Sequence, residues 1–143
     1  MNRRVTLLRH GHAEEHPHDF ARLLSDAGRA AAVRAGEALK RAGWTPDHLL
    51  TSSAPRALAT AELVARACGY SAPIRAERVL YLASDEQCLD VLRQSPEHAR
   101  SVLVVGHNPG LSRLARDLCG HPSELGPAEF ASVELDLADW IAL

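Results

Sequence analysis

The stretch Val102-Leu103-Val104-Val105-Gly106-His107-Asn108-Pro109-Gly110 decides the fold. Four consecutive valine or leucine residues fit a strand buried on both faces, because a strand with one wet face alternates apolar and polar residues. Asn108 and Pro109 then predict a helix start, with Asn108 as the N-cap and Pro109 at the first helical position. Leu111, Leu114, Ala115 and Leu118 follow at helical spacing, and Gly120 supplies the stop. A buried strand that feeds directly into an amphipathic helix is the repeating unit of parallel α/β sheets.

The unit recurs along the chain. Val5-Thr6-Leu7-Leu8 reads as a buried strand. Ser25 caps a helix whose apolar stripe is Ala31, Ala35, Ala38 and Ala42, with Gly43 as its stop. His48 to Thr51 reads as a second strand, followed by a helix from about Pro55 with the stripe Ala57, Ala61, Val64 and Cys68, ended by Gly69. Residues 72–76 form a short extended piece. Ser84-Asp85-Glu86-Gln87 has the form of a capping box and opens a helix that ends before Pro96. Phe130 to Leu137 alternates as a last strand. The expected architecture is a three-layer α/β/α sandwich, with a mostly parallel central sheet and helices on both faces.

The 143 residues amount to one domain spanning 1–143, and 46% hydrophobic content excludes general disorder. Aromatics are only 4% and alanine occupies 24 positions, so small aliphatics build the core. A net charge of −2 gives no footprint for nucleic acid or an anionic membrane. Cys68, Cys88 and Cys119 are odd in number and widely spaced, which points away from a disulfide framework. The apolar run at residues 5–8 is too short for a signal peptide or a membrane span, so a cytoplasmic location is expected. His48, His98 and His121 are expected at the surface.

Ligands of parallel sheets bind beyond the carboxyl ends of the strands. There the first strand runs into Arg9-His10-Gly11-His12, the second into Ser52-Ser53-Ala54-Pro55-Arg56, and the buried strand into Gly106-His107-Asn108. If these ends meet, Arg9 and Arg56 make a rigid cradle for phosphate oxygens around His10 and His107. A neutral His10 in such a cage suits in-line attack on phosphorus and a covalent phosphohistidine.

These segments carry a resemblance. Leu8-Arg9-His10-Gly11 resembles the signature of the histidine phosphatase superfamily, the phosphoglycerate mutase-like fold. Ser52-Ser53-Ala54-Pro55-Arg56-Ala57-Leu58-Ala59-Thr60-Ala61 and Val105-Gly106-His107-Asn108-Pro109-Gly110-Leu111-Ser112 are similar to its second and third motifs. Arg22-Leu23-Leu24-Ser25-Asp26-Ala27-Gly28 resembles the segment that opens its first helix. Chain length and the third motif most resemble the SixA-type phosphohistidine phosphatase branch. The resemblance implies His10 as nucleophile, with Arg9, Arg56 and His107 completing the phosphate pocket, and no metal or cofactor. It also implies a phosphorylated protein, carrying phosphohistidine, or a small phosphorylated metabolite as the partner.

One departure bears on substrate. Many superfamily members carry an acidic proton donor shortly after the second motif, where this chain reads Glu77-Arg78-Val79-Leu80-Tyr81-Leu82. Leu82 stands at the expected position. An alkoxide is a poor leaving group without an acid, whereas a phosphoramidate nitrogen can leave protonated, so the departure favours phosphohistidine over sugar phosphates. The alternatives are a small-molecule phosphomonoesterase, a phosphate-binding module with weak turnover, and a metal-dependent hydrolase built on His10-x-His12 and His16-x-His18-Asp19.

Overall fold

The computed structural model describes residues 2–143. Its regular elements, in chain order, are β1 (Asn2–Arg9), α1 (Asp26–Arg41), β2 (His48–Ser52), α2 (Pro55–Cys68), β3 (Ile74–Glu77), α3 (Asp85–Arg93), β4 (Ser101–Gly106), α4 (Gly110–Cys119) and β5 (Phe130–Asp136). The strands form one sheet in the order β3-β2-β4-β1-β5. β1, β2, β3 and β4 run parallel, and β5 lies antiparallel along the edge of β1.

Side chains alternate strictly across the central strands. Val5, Leu7, Leu50, Val102 and Val104 face one layer and pack with Leu92, Leu111, Leu114 and Trp140. Leu8, Leu49, Leu103 and Val105 face the other and pack with Leu39, Ala57, Ala61 and Val64. Helices α3 and α4 thus cover one face of the sheet, and α1 and α2 cover the other. This is the three-layer arrangement expected from the sequence. Burying each such leucine or valine contributes about 1.5–3 kcal/mol, which accounts for the unbroken apolar run in β4.

Two local expectations are corrected. The buried stripe of α1 is Gly28, Ala32, Ala35, Gly36 and Leu39, not the alanine series; Ala42 is exposed. A Cβ on Gly36 would stand 2.6 Å from the Ala67 Cβ and 2.7 Å from the Val64 carbonyl oxygen, so α1 meets α2 through its glycine. Two glycines on the buried face, Gly28 and Gly36, shift it away from the alanine spacing. At α4, Pro109 is the N-cap and the helix begins at Gly110. Asn108 does not cap it: its Oδ1 accepts from Ser112 Oγ at 2.5 Å, and its Nδ2 donates to the Leu125 carbonyl at 2.9 Å. Ser25 does cap α1, accepting from Gly28 N, and the capping box at Ser84 and Gln87 is formed. No helix of the described residues is long and apolar enough to cross a membrane.

Candidate active site

Strand register brings the first two site groups together. Arg9 pairs with Gly106 across β1 and β4, so the next residue of β1, His10, emerges beside His107 at the same sheet edge. The His10 backbone N–H donates to the Gly106 carbonyl at 3.1 Å, and the two imidazole centroids stand 5.0 Å apart. On the far side of β4, Thr51 pairs with Val105, which sets Ser52 and the start of α2 next to His107. Arg56, in the first turn of α2, is 1% exposed and reaches between the two histidines. Its Nε lies 3.4 Å from His10 Nε2 and its Nη2 lies 3.5 Å from His107 Nδ1.

The tautomer of His10 follows from its partner. Nδ1 sits 2.7 Å from the Gly11 carbonyl oxygen, which can only accept, so Nδ1 carries the proton and Nε2 presents its lone pair. Burial, joined by the charges of Arg56 and Arg9, pushes the His10 pKa down to about 4, against a smaller opposing pull from the Gly11 carbonyl. The ring is therefore neutral at pH 7. Gly11 is required behind it: a Cβ there would lie 2.8 Å from the Gly28 carbonyl oxygen. Its N–H donates to Thr60 Oγ1, which donates in turn to the Arg56 carbonyl, tying the nucleophile loop to α2.

His107 is held from behind by Ser52, with Oγ 2.7 Å from Nε2. Ser52 Oγ accepts from the Ala54 N–H. With the Ser52 hydroxyl donated to His107 Nε2, Nδ1–H faces the Arg56 guanidinium, and the two donors converge on a point that an anionic oxygen can fill. Burial, then the proximity of His10 and Arg56, holds His107 at about 3, so it acts as a neutral donor. Arg9 donates from Nη1 to the Leu125 carbonyl at 3.1 Å, while its buried Nε has no partner among the described residues. These groups line a cavity of about 200 Å³.

Asp19, Arg22, Tyr81 and Leu82 complete the surroundings. Asp19 takes both terminal nitrogens of Arg56: Nη1 donates to its carbonyl at 2.8 Å and Nη2 to Oδ2 at 3.0 Å. Tyr81 also donates to Oδ2, and Arg22 lies 3.5 Å from Oδ1. The Tyr81 hydrogen bond, followed by Arg56, lowers the Asp19 pKa to about 2. Leu82, at the position where an acid was sought, lines the cavity with a left-handed backbone (φ 49) and is 53% exposed. Sequence reading brought out His10, Arg9, Arg56 and His107, and all four meet here. It missed the roles of Asp19 and Tyr81, because their contact crosses 62 residues and neither lies at a strand end. Asp19 was seen only as part of a histidine cluster. That cluster does not converge: His12 Nδ1 turns to Ser25 Oγ, His16 Nδ1 accepts from the His18 N–H, and no group of three metal-ligating side chains forms among the described residues.

A phosphate-sized pocket with a neutral histidine, two arginines and a second histidine at the carboxyl edge of a parallel sheet defines a phosphatase class. The family model for the histidine phosphatase superfamily (branch 1) matches residues 5–81, and the chain belongs to that superfamily. Among solved structures it is similar to a protein from Agrobacterium tumefaciens assigned as the phosphohistidine phosphatase SixA, with 29% identity, TM-score 0.82, and coverage of 91% of this chain and 90% of that one. It is also similar to the protein histidine phosphatase SixA complexed with tungstate, with 25% identity, TM-score 0.80, and coverage of 93% and 88%. A mycobacterial glucosyl-3-phosphoglycerate phosphatase shares the fold alone, at 18% identity, TM-score 0.75, and coverage of 98% and 94%. No curated protein matches the chain significantly.

Proposed function

We propose that this chain, acting as a single domain, hydrolyses protein phosphohistidine through a covalent phosphohistidine on His10. The observation that carries the reading is the neutral His10 Nε2 lone pair, oriented by the Gly11 carbonyl and ringed by the donors of Arg9, Arg56 and His107. In the first step Nε2 attacks phosphorus and the bond from phosphorus to the substrate nitrogen breaks. The substrate ring carries a proton from solvent on its other nitrogen before attack, so the P–N electron pair returns to that ring and it leaves as neutral imidazole. The guanidiniums and His107 Nδ1–H hold the equatorial oxygens, where charge accumulates. Water then attacks the phosphorus on His10, and phosphate departs with the imidazole restored.

The pocket suits a leaving group that needs no strong acid. Its lining carboxylate, Asp19, is held ionised by Tyr81 and Arg56 and is a poor proton donor near neutrality. Leu82 offers no proton at all. Phosphoramidates need the least help, and the similarity to SixA proteins at 25–29% identity points the same way.

A turnover screen tests this: a phosphohistidine peptide, phosphoramidate and alkyl phosphomonoesters, with His10→Ala as control. The expected result is turnover of the two P–N substrates, with a trapped phosphoenzyme that vanishes in His10→Ala. Hydrolysis of alkyl esters alone would favour a small-molecule phosphomonoesterase. Loss of turnover in EDTA would favour the metal-dependent alternative.

A further inference from the structure

A second hollow, of about 310 Å³, lies along α4 on the other side of a thin wall from the active-site cavity. Pro109 lines the outer hollow, while its chain neighbour Asn108 lines the active-site cavity. Arg113 and Arg116, three residues apart on α4, line the outer hollow with Ser112, His121 and Glu124. Both arginines are exposed, and neither guanidinium has an ion pair or hydrogen bond among the described residues. His121, expected at the surface, is half-buried, with its Nε2 closed off and unpartnered. Two guanidiniums face one carboxylate, so the hollow is cationic.

The wall between the hollows is tied to the catalytic groups. Ser112 Oγ donates to Asn108 Oδ1 and accepts from the Leu125 N–H. The Leu125 carbonyl accepts from both Asn108 Nδ2 and Arg9 Nη1. A ligand that fills both hollows must cross this wall, which a small phosphate cannot do and a polypeptide can.

We propose that the Arg113–Arg116 hollow docks acidic side chains flanking the phosphohistidine of the protein substrate. The proposal rests on the phosphohistidine reading above. Each guanidinium can pair with a carboxylate while the phosphate occupies the inner cavity. Exposed pairs of this kind act mainly on encounter and specificity, so they weaken as salt rises.

The test compares two phosphohistidine peptides, one flanked by glutamates and one by glutamines, with phosphoramidate as a substrate too small to reach α4. At low salt the chain is expected to favour the acidic peptide on the order of tenfold in kcat/KM, as rim electrostatics permit. The exposed double variant R113E/R116E is expected to abolish or invert that preference while phosphoramidate turnover stays unchanged. R113Q/R116Q, a milder change, is expected to fall between. Equal use of both peptides by the unaltered chain, or a preference that survives charge reversal, would overturn the docking site alone. Turnover of phosphoramidate with neither peptide cleaved would overturn the phosphohistidine-protein reading and the docking site with it.

Discussion

Arg56 and Asp19 are in competition with the substrate. The two terminal nitrogens of Arg56 already hold Asp19, through its carbonyl and its Oδ2, and these are the donors a phosphate needs. Asp19→Asn removes the rival charge and leaves the arginine in place. Inorganic phosphate is expected to inhibit this variant about fivefold more tightly, corresponding to roughly 1 kcal/mol for one partly exposed ion pair. Inhibition titrations would check it; weaker inhibition would mean that Asp19 serves to aim Arg56 rather than to occupy it. At this scale the sequence revealed residues that follow directly from strand ends, such as His10 and His107. It did not reveal Asp19, whose importance comes from a contact with a tyrosine far along the chain. Nor did it reveal the left-handed backbone of Leu82, which aims an apolar side chain at the cavity.

The helices show where periodicity suffices and where it does not. Ser25 and Ser84 sit at their caps because a short hydroxyl before a helix has free N–H groups to satisfy. The α2 stripe of Ala57, Ala61, Val64 and Cys68 is buried as spaced. In α1 alanine is so frequent that alanine spacing fits more than one face, and the contact with α2 runs through Gly36 instead. Gly36→Val pushes side-chain atoms into Ala67 and the Val64 carbonyl. It is expected to cost about 1–3 kcal/mol, as overpacked sites do, measurable by urea unfolding. An unchanged midpoint would show that α1 can move off α2 without loss. The Asn108 cap failed for a related reason: its side chain had stronger business with Ser112 and Leu125, neither of which is a helix-start signal.

The parallel sheet was legible because four apolar residues in β4 and the runs beside it allow no wet face. The strand order was not, since nothing local dictates which strand lies next to which. The buried histidines at the sheet edge also make the whole fold sensitive to acid. An imidazole free in the unfolded chain binds its proton below about pH 6.5, whereas His10 and His107 resist it until about 4 and 3. Between these limits the unfolded chain holds more protons, so stability is full above about pH 6.5 and declines as pH falls toward 4. Urea midpoints at pH 7 and pH 5 are expected to differ accordingly, with His10→Asn flattening the difference; identical midpoints in the unaltered chain would contradict it. The strand order has a consequence for the growing chain. β1 and β2 do not pair: β4, residues 101–106, lies between them and pairs with both. A ribosome releases the nucleophile well before β4: the strand that gives it neighbours arrives more than ninety residues later. Folding of the catalytic edge is therefore late and nearly all-or-none. A fragment of residues 1–100 is expected to show no cooperative unfolding, and a nascent or prematurely ended chain is an unfolded polypeptide awaiting disposal rather than a half-active enzyme.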